Sequence, residues 1–339
     1  MDSGNAPRAV TLKDIAEASG VSVSTVSRIL DDRYPRSHTE NARKVRKVAE
    51  KLGYRRNVYA SGLRRRETGL IGVLVPRLTD SVMSLMYEAI ERAARSRGMF
   101  AIVATCGDTP ETQEEVVETL LDRNVDGLIL ATARIDDGLP ERLRRKNLPH
   151  VLVLRSDGKS PTISGDDSLG GYLAARHLVD LGHTDIAIVT GPSFTSSAHG
   201  RVEGALRALE EADIFVSEDN VIYSAYGIEA GEEAARELLQ KDQPPTAIFA
   251  ANDNLAIGFA HVAAKLGFTL GKDISIVGYN DIPLVEKLPV PVTSVRTPFD
   301  QIAEKAVDML REETISPQVT SFIPTLIPRR SSGPGPSRA

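Results

Sequence analysis

Cys106 is the only cysteine among 339 residues, so no disulfide can form within the chain and a reducing cytoplasm suits it. It stands in the apolar run FAIVATC, where a buried structural thiol is expected and a nucleophile is not. No apolar stretch is long enough to cross a bilayer, and the opening MDSGNAPRAV has no apolar signal-peptide core. The expectation is a cytoplasmic protein with no membrane partner. Phosphate-gripping loops are missing too: no G-x-G-x-x-G follows a strand, and no G-x-x-x-x-G-K-[ST] occurs. The serine-rich SFTSSAHGR lacks a G-x-S-x-G elbow. Enzymes built on nucleotide-binding or hydrolase folds are therefore disfavoured, and no cofactor is expected. His177 and His183 have no carboxylate or cysteine recurring at ligand spacing, so they read as helix-packing and helix-end residues and no metal is expected.

What is present is ordinary in total and uneven in distribution. Hydrophobic residues make up 41% and charged residues 26%, as in a water-soluble globular protein with room for one small and one large domain. The net charge of −5 hides an asymmetry. Residues 1–66 carry 15 lysines and arginines against 7 acids, while the rest carry 26 against 39. A basic head on an acidic body implies a polyanionic partner at one end.

Residues 11–30, TLKDIAEASGVSVSTVSRIL, explain the head. Thr11 and Asp14 form a capping pair that opens a helix with Leu12, Ile15 and Ala16 on one face. Gly20 can take the positive φ of a sharp turn, Val21 plugs the space between helices, and Ser22 caps a second helix. On that helix Val26, Ile29 and Leu30 face inward, and Val23, Ser24, Ser27 and Arg28 face outward. Such an outward face, small and hydroxylated with one terminal arginine, can approach a DNA groove closely. Val23, Ser24 and Arg28 are the candidate base readers, and Ser22, Thr25 and Ser27 the candidate phosphate contacts. A third helix, from about Asn41 to Leu52, should pack Ala42, Val45, Val48, Ala49 and Leu52 on the first two.

This stretch resembles the N-terminal module of the LacI family of bacterial transcription regulators, in the order of cap, turn glycine, serine and terminal arginine. The resemblance implies that residues 56–68 are a hinge helix ordered on operator DNA. Asn57 would start it, Ala60 would face the partner hinge, and Leu63 would wedge into the minor groove. Arg56 stands where the family usually has proline, and Gly62 is a poor helix former, so a plain basic linker is the alternative.

From Gly69 onward, eight apolar β-branched runs alternate with helical stretches, at 69–75, 100–105, 127–132, 150–154, 186–191, 221–226, 247–252 and 274–280. Nearly continuous apolar strands separated by helices predict parallel sheets covered on both faces. Eight units fit two doubly wound lobes. That architecture resembles the periplasmic-binding-protein-like core of the same family. The expected fold is thus an all-α helix-turn-helix head followed by an α/β core of two doubly wound parallel-sheet lobes. The expected divisions are a disordered tail at 1–9, a head at 10–55, the hinge at 56–68 and a two-lobed body at 69–330. Within the body, lobe 1 takes about 69–166 and 294–321, and lobe 2 about 167–291 and 322–330. Residues 331–339, SSGPGPSRA, have a disordered composition and no leucine heptads. The resemblance, without a tetramerising leucine-heptad tail, implies a homodimer reading a near-palindromic operator.

Ligands of open α/β lobes bind beyond the carboxyl ends of the strands. Here those ends carry the loop after Val75, the GPSFTSSAHGR loop, Tyr226, Asn252-Asp253 and Tyr279-Asn280-Asp281. The resemblance implies effector contacts on the same loops, from Val82, Met83, Asp166, Thr195, Ser197, Arg201, Tyr226, Asn252, Asn280 and Phe299. The planar fork of Arg201 suits paired hydroxyls or a carboxylate, with a structural salt bridge as the alternative. Asn280 replaces an aspartate common in sugar-responsive members. The function implied is a sequence-specific transcription regulator, a repressor, whose operator affinity is modulated by a small effector such as a sugar or sugar derivative. The alternative is a soluble solute-binding protein without DNA function.

Overall fold

The computed structural model describes residues 10–31, 37–54, 68–136, 138–312 and 318–336. The chain divides into two compact units, Met1–Thr68 and Gly69–Ala339.

The first unit contains α1 (Leu12–Ser19), α2 (Val23–Ile29) and α3 (Glu40–Lys51). Thr11 and Asp14 close a reciprocal capping box, and Gly20 ends α1 with φ +69°. Ser22 caps α2 by accepting from the Thr25 N–H at 3.3 Å. Thr39 caps α3. Ile15, Ala16, Val26, Val45 and Ala49 form the small core, with Val21, Ile29, Leu30 and Val48 packed around it. Leu52 departs from the expected packing: it follows the last turn of α3 as its C-cap and is 39% exposed. The hinge residues Asn57, Ala60 and Leu63 lie outside the described residues.

The second unit holds two six-stranded sheets. The first comprises β1 (Leu70–Val75), β2 (Phe100–Thr105), β3 (Gly127–Leu130), β4 (His150–Val153), β5 (Thr162–Gly165) and β11 (Val319–Phe322), in the order β11-β5-β4-β3-β1-β2, all parallel. The second comprises β6 (Ile186–Thr190), β7 (Val221–Tyr223), β8 (Ala247–Ala250), β9 (Ser275–Asn280), β10 (Thr293–Arg296) and β12 (Thr325–Ile327), in the order β12-β10-β9-β8-β6-β7. Only β12, on an edge, runs antiparallel. Helices cover the sheets, including α4 (Ser81–Ser96), α7 (Asp167–Asp180), α8 (Ser196–Glu210), α9 (Ile228–Leu239), α10 (Asp253–Lys265) and α12 (Phe299–Leu310). Between α4 and α7 lie α5 (Pro110–Leu121) and α6 (Leu139–Arg145), and α11 (Pro283–Lys287) precedes α12. None of the described helices is long and apolar enough to cross a membrane.

The eight apolar runs are all strands. Four further strands escaped the apolar pattern because they are short and rich in hydroxyls: TISG, TSVR, VTSF and TLI. They shift the lobe limits. Thr293–Arg296 pairs with β9 in the second sheet, so the return to lobe 1 begins after residue 296 rather than at 294. Phe322 pairs with Gly165 in the first sheet, not the second. The chain therefore passes between lobes three times.

The end of the chain is also corrected. Ser331–Pro336 is ordered, because its backbone groups find buried partners despite its glycine- and proline-rich composition. Ser331 is fully buried, accepting from the Thr293 N–H at 2.8 Å and donating to the Ile276 carbonyl at 2.6 Å. His177 Nε2 bonds Ser332 Oγ at 2.8 Å, and His183 Nε2 contacts Ser275 Oγ and the Gly333 carbonyl. Both histidines thus hold the tail against lobe 2, and burial lowers both pKa values.

Candidate DNA interface and effector cleft

On α2, Val26 is buried while Ser22, Val23, Ser24 and Arg28 are exposed and Thr25 and Ser27 half-exposed. The Ser22 hydroxyl lies 3.0 Å from Ser24 Oγ and 2.9 Å from Thr25 Oγ1, so the start of the helix presents a cluster of hydroxyls beside free backbone N–H groups. A helix start of this kind is chemically suited to phosphate. Arg28, a turn further on, is the one charged side chain on the exposed face.

In the second unit the carboxyl ends of the strands lead directly into helices, so several candidate residues also serve as helix caps. Asp166 caps α7 through the Leu169 N–H, Thr195 caps α8 through the Ala198 N–H, and Asn252 caps α10 through the Asn254 N–H. Asn252, rather than Asp253, is thus the cap of α10. The Asp253 carboxylate is buried, accepting from Ser294 Oγ at 2.7 Å and the Ile282 N–H at 2.8 Å. Burial pushes its pKa up to about 7.

One cluster draws the two lobes together. The Tyr226 hydroxyl lies 3.1 Å from Ser197 Oγ and 3.4 Å from Thr195 Oγ1. Its ring rests on the backbone of Gly191, where a Cβ would fall 2.0 Å from the ring. Asn254 Nδ2 donates to Asp80 Oδ1 at 3.2 Å, joining the α10 end of lobe 2 to the cap of α4 in lobe 1. A second link runs from the Ser156 N–H to Ser196 Oγ at 2.7 Å. Val82 and Met83 are buried beside the Asp80 cap. Arg155 is 95% buried, with its guanidinium 5.9 Å from the Tyr226 ring centroid. Burial lowers its pKa and raises that of Asp80.

Arg201 takes the structural alternative in part. Its Nε donates to Asp167 at 2.8 Å and its Nη1 to the Ala251 carbonyl at 2.7 Å, and its guanidinium lies 3.8 Å over the Tyr279 ring. Burial opposes its charge, but the Asp167 carboxylate outweighs that and raises its pKa. Asn280 ends β9 with φ +98°, and its Oδ1 accepts from Thr297 while its Nδ2 is buried without a described partner. Phe299 starts α12 and packs on the apolar core.

Comparison with known proteins matches residues 11–57 to "Bacterial regulatory proteins, lacI family" and residues 175–332 to "Periplasmic binding protein-like domain". The HTH-type transcriptional regulator MalR of Streptomyces coelicolor is 34% identical, covering 96% of this chain and 97% of its own. The chain belongs to the LacI family. Among solved structures of that family, the lac repressor dimer bound to operator and the anti-inducer ONPF superposes with a TM-score of 0.85 at 27% identity, covering 96% of this chain and 99% of the other. The transcriptional regulator CelR–cellobiose complex superposes with a TM-score of 0.73 at 26% identity, covering 95% and 100%.

Three residues of the LacI-type cleft were not singled out from the sequence: Asp80, Arg155 and Asn254. Asp80 and Asn254 are small polar residues at helix starts, a pattern shared with every ordinary cap. The signal for Arg155 was available, since RSD directly follows the apolar run HVLVL at a strand's carboxyl end. What the sequence does not show is the φ of +64° at Leu154, which turns the chain just before Arg155.

Proposed function

We propose that this LacI-family protein is a homodimeric repressor whose grip on a near-palindromic operator is set by a small hydroxylated effector in the cleft. Val23, Ser24 and Arg28 read bases, while Ser22, Thr25 and Ser27 hold phosphates. In the cleft Thr195, Ser197 and Tyr226 bind effector hydroxyls. The remaining donors of Arg201 and the Asn280 Nδ2, which has no partner among the described residues, extend that set. Val82 and Met83 supply the apolar wall of lobe 1, and Asp166, Asn252 and Phe299 border the ligand from their helix starts.

The observation that carries this reading is the hydroxyl cluster of Thr195, Ser197 and Tyr226, close to the Asp80–Asn254 bond that links the lobes. A ligand there touches both lobes and so has different affinities for their open and closed arrangements. That difference is the only means by which it can bias operator binding. The cellobiose held by CelR favours a sugar or sugar derivative as the ligand class. A LacI-type head capped as described favours DNA binding over simple solute capture.

The test is a titration of fluorescent fragments from the chromosome around the protein's own gene, with and without sugars. The expected result is one preferred fragment whose affinity shifts in the presence of a sugar or derivative, with the shift reduced at least tenfold in Ser197→Ala. Equal binding to all fragments would leave only a solute-binding protein.

A further inference from the structure

Lobe 1 grips one short segment of lobe 2 at two points. The segment is residues 193–197, which leads from β6 into α8. Thr195 is extended, with φ −106° and ψ 129°, so residues on either side of it alternate in what they face. Thr195 and Ser197 are buried, with their hydroxyls beside Tyr226. Phe194 and Ser196 meet lobe 1 instead. The Ile135 N–H donates to the Phe194 carbonyl at 3.0 Å, and the Ser156 N–H donates to Ser196 Oγ at 2.7 Å. Ile135 follows β3 and Ser156 follows β4, which are paired strands, so two adjacent strand ends hold the same segment.

Arg134 strengthens the first point. Its guanidinium lies 3.6 Å from the centroid of the Phe194 ring. Its in-plane donors are already used. Nε and Nη2 donate to the two carboxylate oxygens of Asp136, each at 2.8 Å, and Nη1 donates to the Asp108 carbonyl at 2.8 Å. A guanidinium fixed in this way offers a ring its flat face, and stacking requires little further ordering. The side chain is 14% exposed, so water screens the attraction weakly.

We propose that Arg134, Ile135 and Ser156 form a two-point clasp on residues 194–196. The clasp weights the lobes toward their closed arrangement and must open for a ligand to enter or leave. This rests on the reading of the cleft as the effector site. Arg134, Ile135 and Ser156 need not touch the ligand. The segment they hold also carries the hydroxyls of Thr195 and Ser197, so ligand contact and lobe closure share one piece of backbone. Weakening the clasp therefore changes the resting balance of the lobes without removing a ligand contact.

Amide hydrogen exchange of the full-length protein, read by mass spectrometry, tests the clasp in Arg134→Ala and Phe194→Leu. The N–H groups of Ile135 and Ser156 are both bonded across it, so their exchange reports its opening. Loss of the stack should speed exchange at Ile135 roughly tenfold. Ser156 should speed up by a similar factor, although neither substituted side chain makes its bond. Phe194→Leu leaves the sequence around Ile135 unchanged, which separates opening from an effect of the neighbouring residue. The amides of β8, buried in lobe 2, should keep their wild-type rates. An unchanged rate at Ile135 in both variants overturns the proposal. So does a rise confined to Ile135, or one that β8 shares equally. Operator titration of the same variants separates the two readings, and both should shift the affinity for the preferred fragment in the same direction. Concerted faster exchange with no preferred fragment, or with no shift in its affinity, leaves the clasp standing and refutes the coupling of the cleft to DNA. A shift in operator affinity with unchanged exchange refutes the clasp alone.

Discussion

Arg28 is the only long side chain on the exposed face of α2, and its neighbours there are valine and serine. If it grips a guanine edge with two hydrogen bonds, Arg28→Ala should cost about 1–3 kcal/mol on the preferred operator and much less on unrelated DNA. Competition between specific and scrambled duplexes measures this, and an equal loss on both would assign Arg28 to phosphate instead. Asp253 illustrates the opposite situation, a charge with too little water. Burial raises its pKa to about 7, so the fold favours its protonated form. The resulting stabilisation is complete below the ordinary carboxyl pKa and is lost as pH rises through about 7. Between pH 8 and pH 5 the wild type should therefore gain stability relative to Asp253→Asn, on the order of a few kcal/mol. Parallel melting curves across that range would show that another group titrates. Cys106 matched its sequence context: it is buried against the Val75 carbonyl, and burial pushes its thiol pKa up to about 12.

Elements were legible wherever one face had to be apolar. The head helices and the eight apolar strands announce themselves by period, because burial of those faces drives their formation. Hydroxyl-rich strands such as Thr293–Arg296 do not, since their stability comes from partners distant in sequence. Thr293 Oγ1 bonds the Arg329 carbonyl at 3.0 Å, and Ser294 bonds Asp253. The same holds for the tail after Arg330, whose composition suggests disorder until Thr293, Ile276 and His183 supply its bonds. Helix contacts were equally hidden. Helices α7 and α8 meet so closely that a Cβ on Gly204 would fall 1.8 Å from the Ser168 carbonyl oxygen, and one on Gly171 1.9 Å from that of Arg201. This approach holds Arg201 against Asp167. Gly204→Ala should force the pair apart, lowering stability by about 1–3 kcal/mol or more and weakening effector binding. Urea denaturation with a calorimetric titration checks both, and an unchanged midpoint would mean that the helices can part freely.

At the scale of the whole molecule the charge division dominates. With 15 basic and 7 acidic residues in the first 66, operator binding should fall steeply with salt. Six phosphate contacts would correspond to about a thousandfold loss between 50 and 200 mM, and a flat dependence would contradict a phosphate-held complex. The sequence by itself determined the helix-turn-helix head, the exposed face of its second helix and the alternation that makes two parallel-sheet lobes. Caps, turns and periodic apolar faces are local, and local rules suffice to read them. Only the tertiary structure decided which strands return to which sheet, that Arg201 is held by Asp167, and that Arg155 lies buried beside Tyr226. Those outcomes depend on residues tens to hundreds of positions apart meeting at the strand ends, where burial sets the cost of each charge and only the fold determines which partner is within reach.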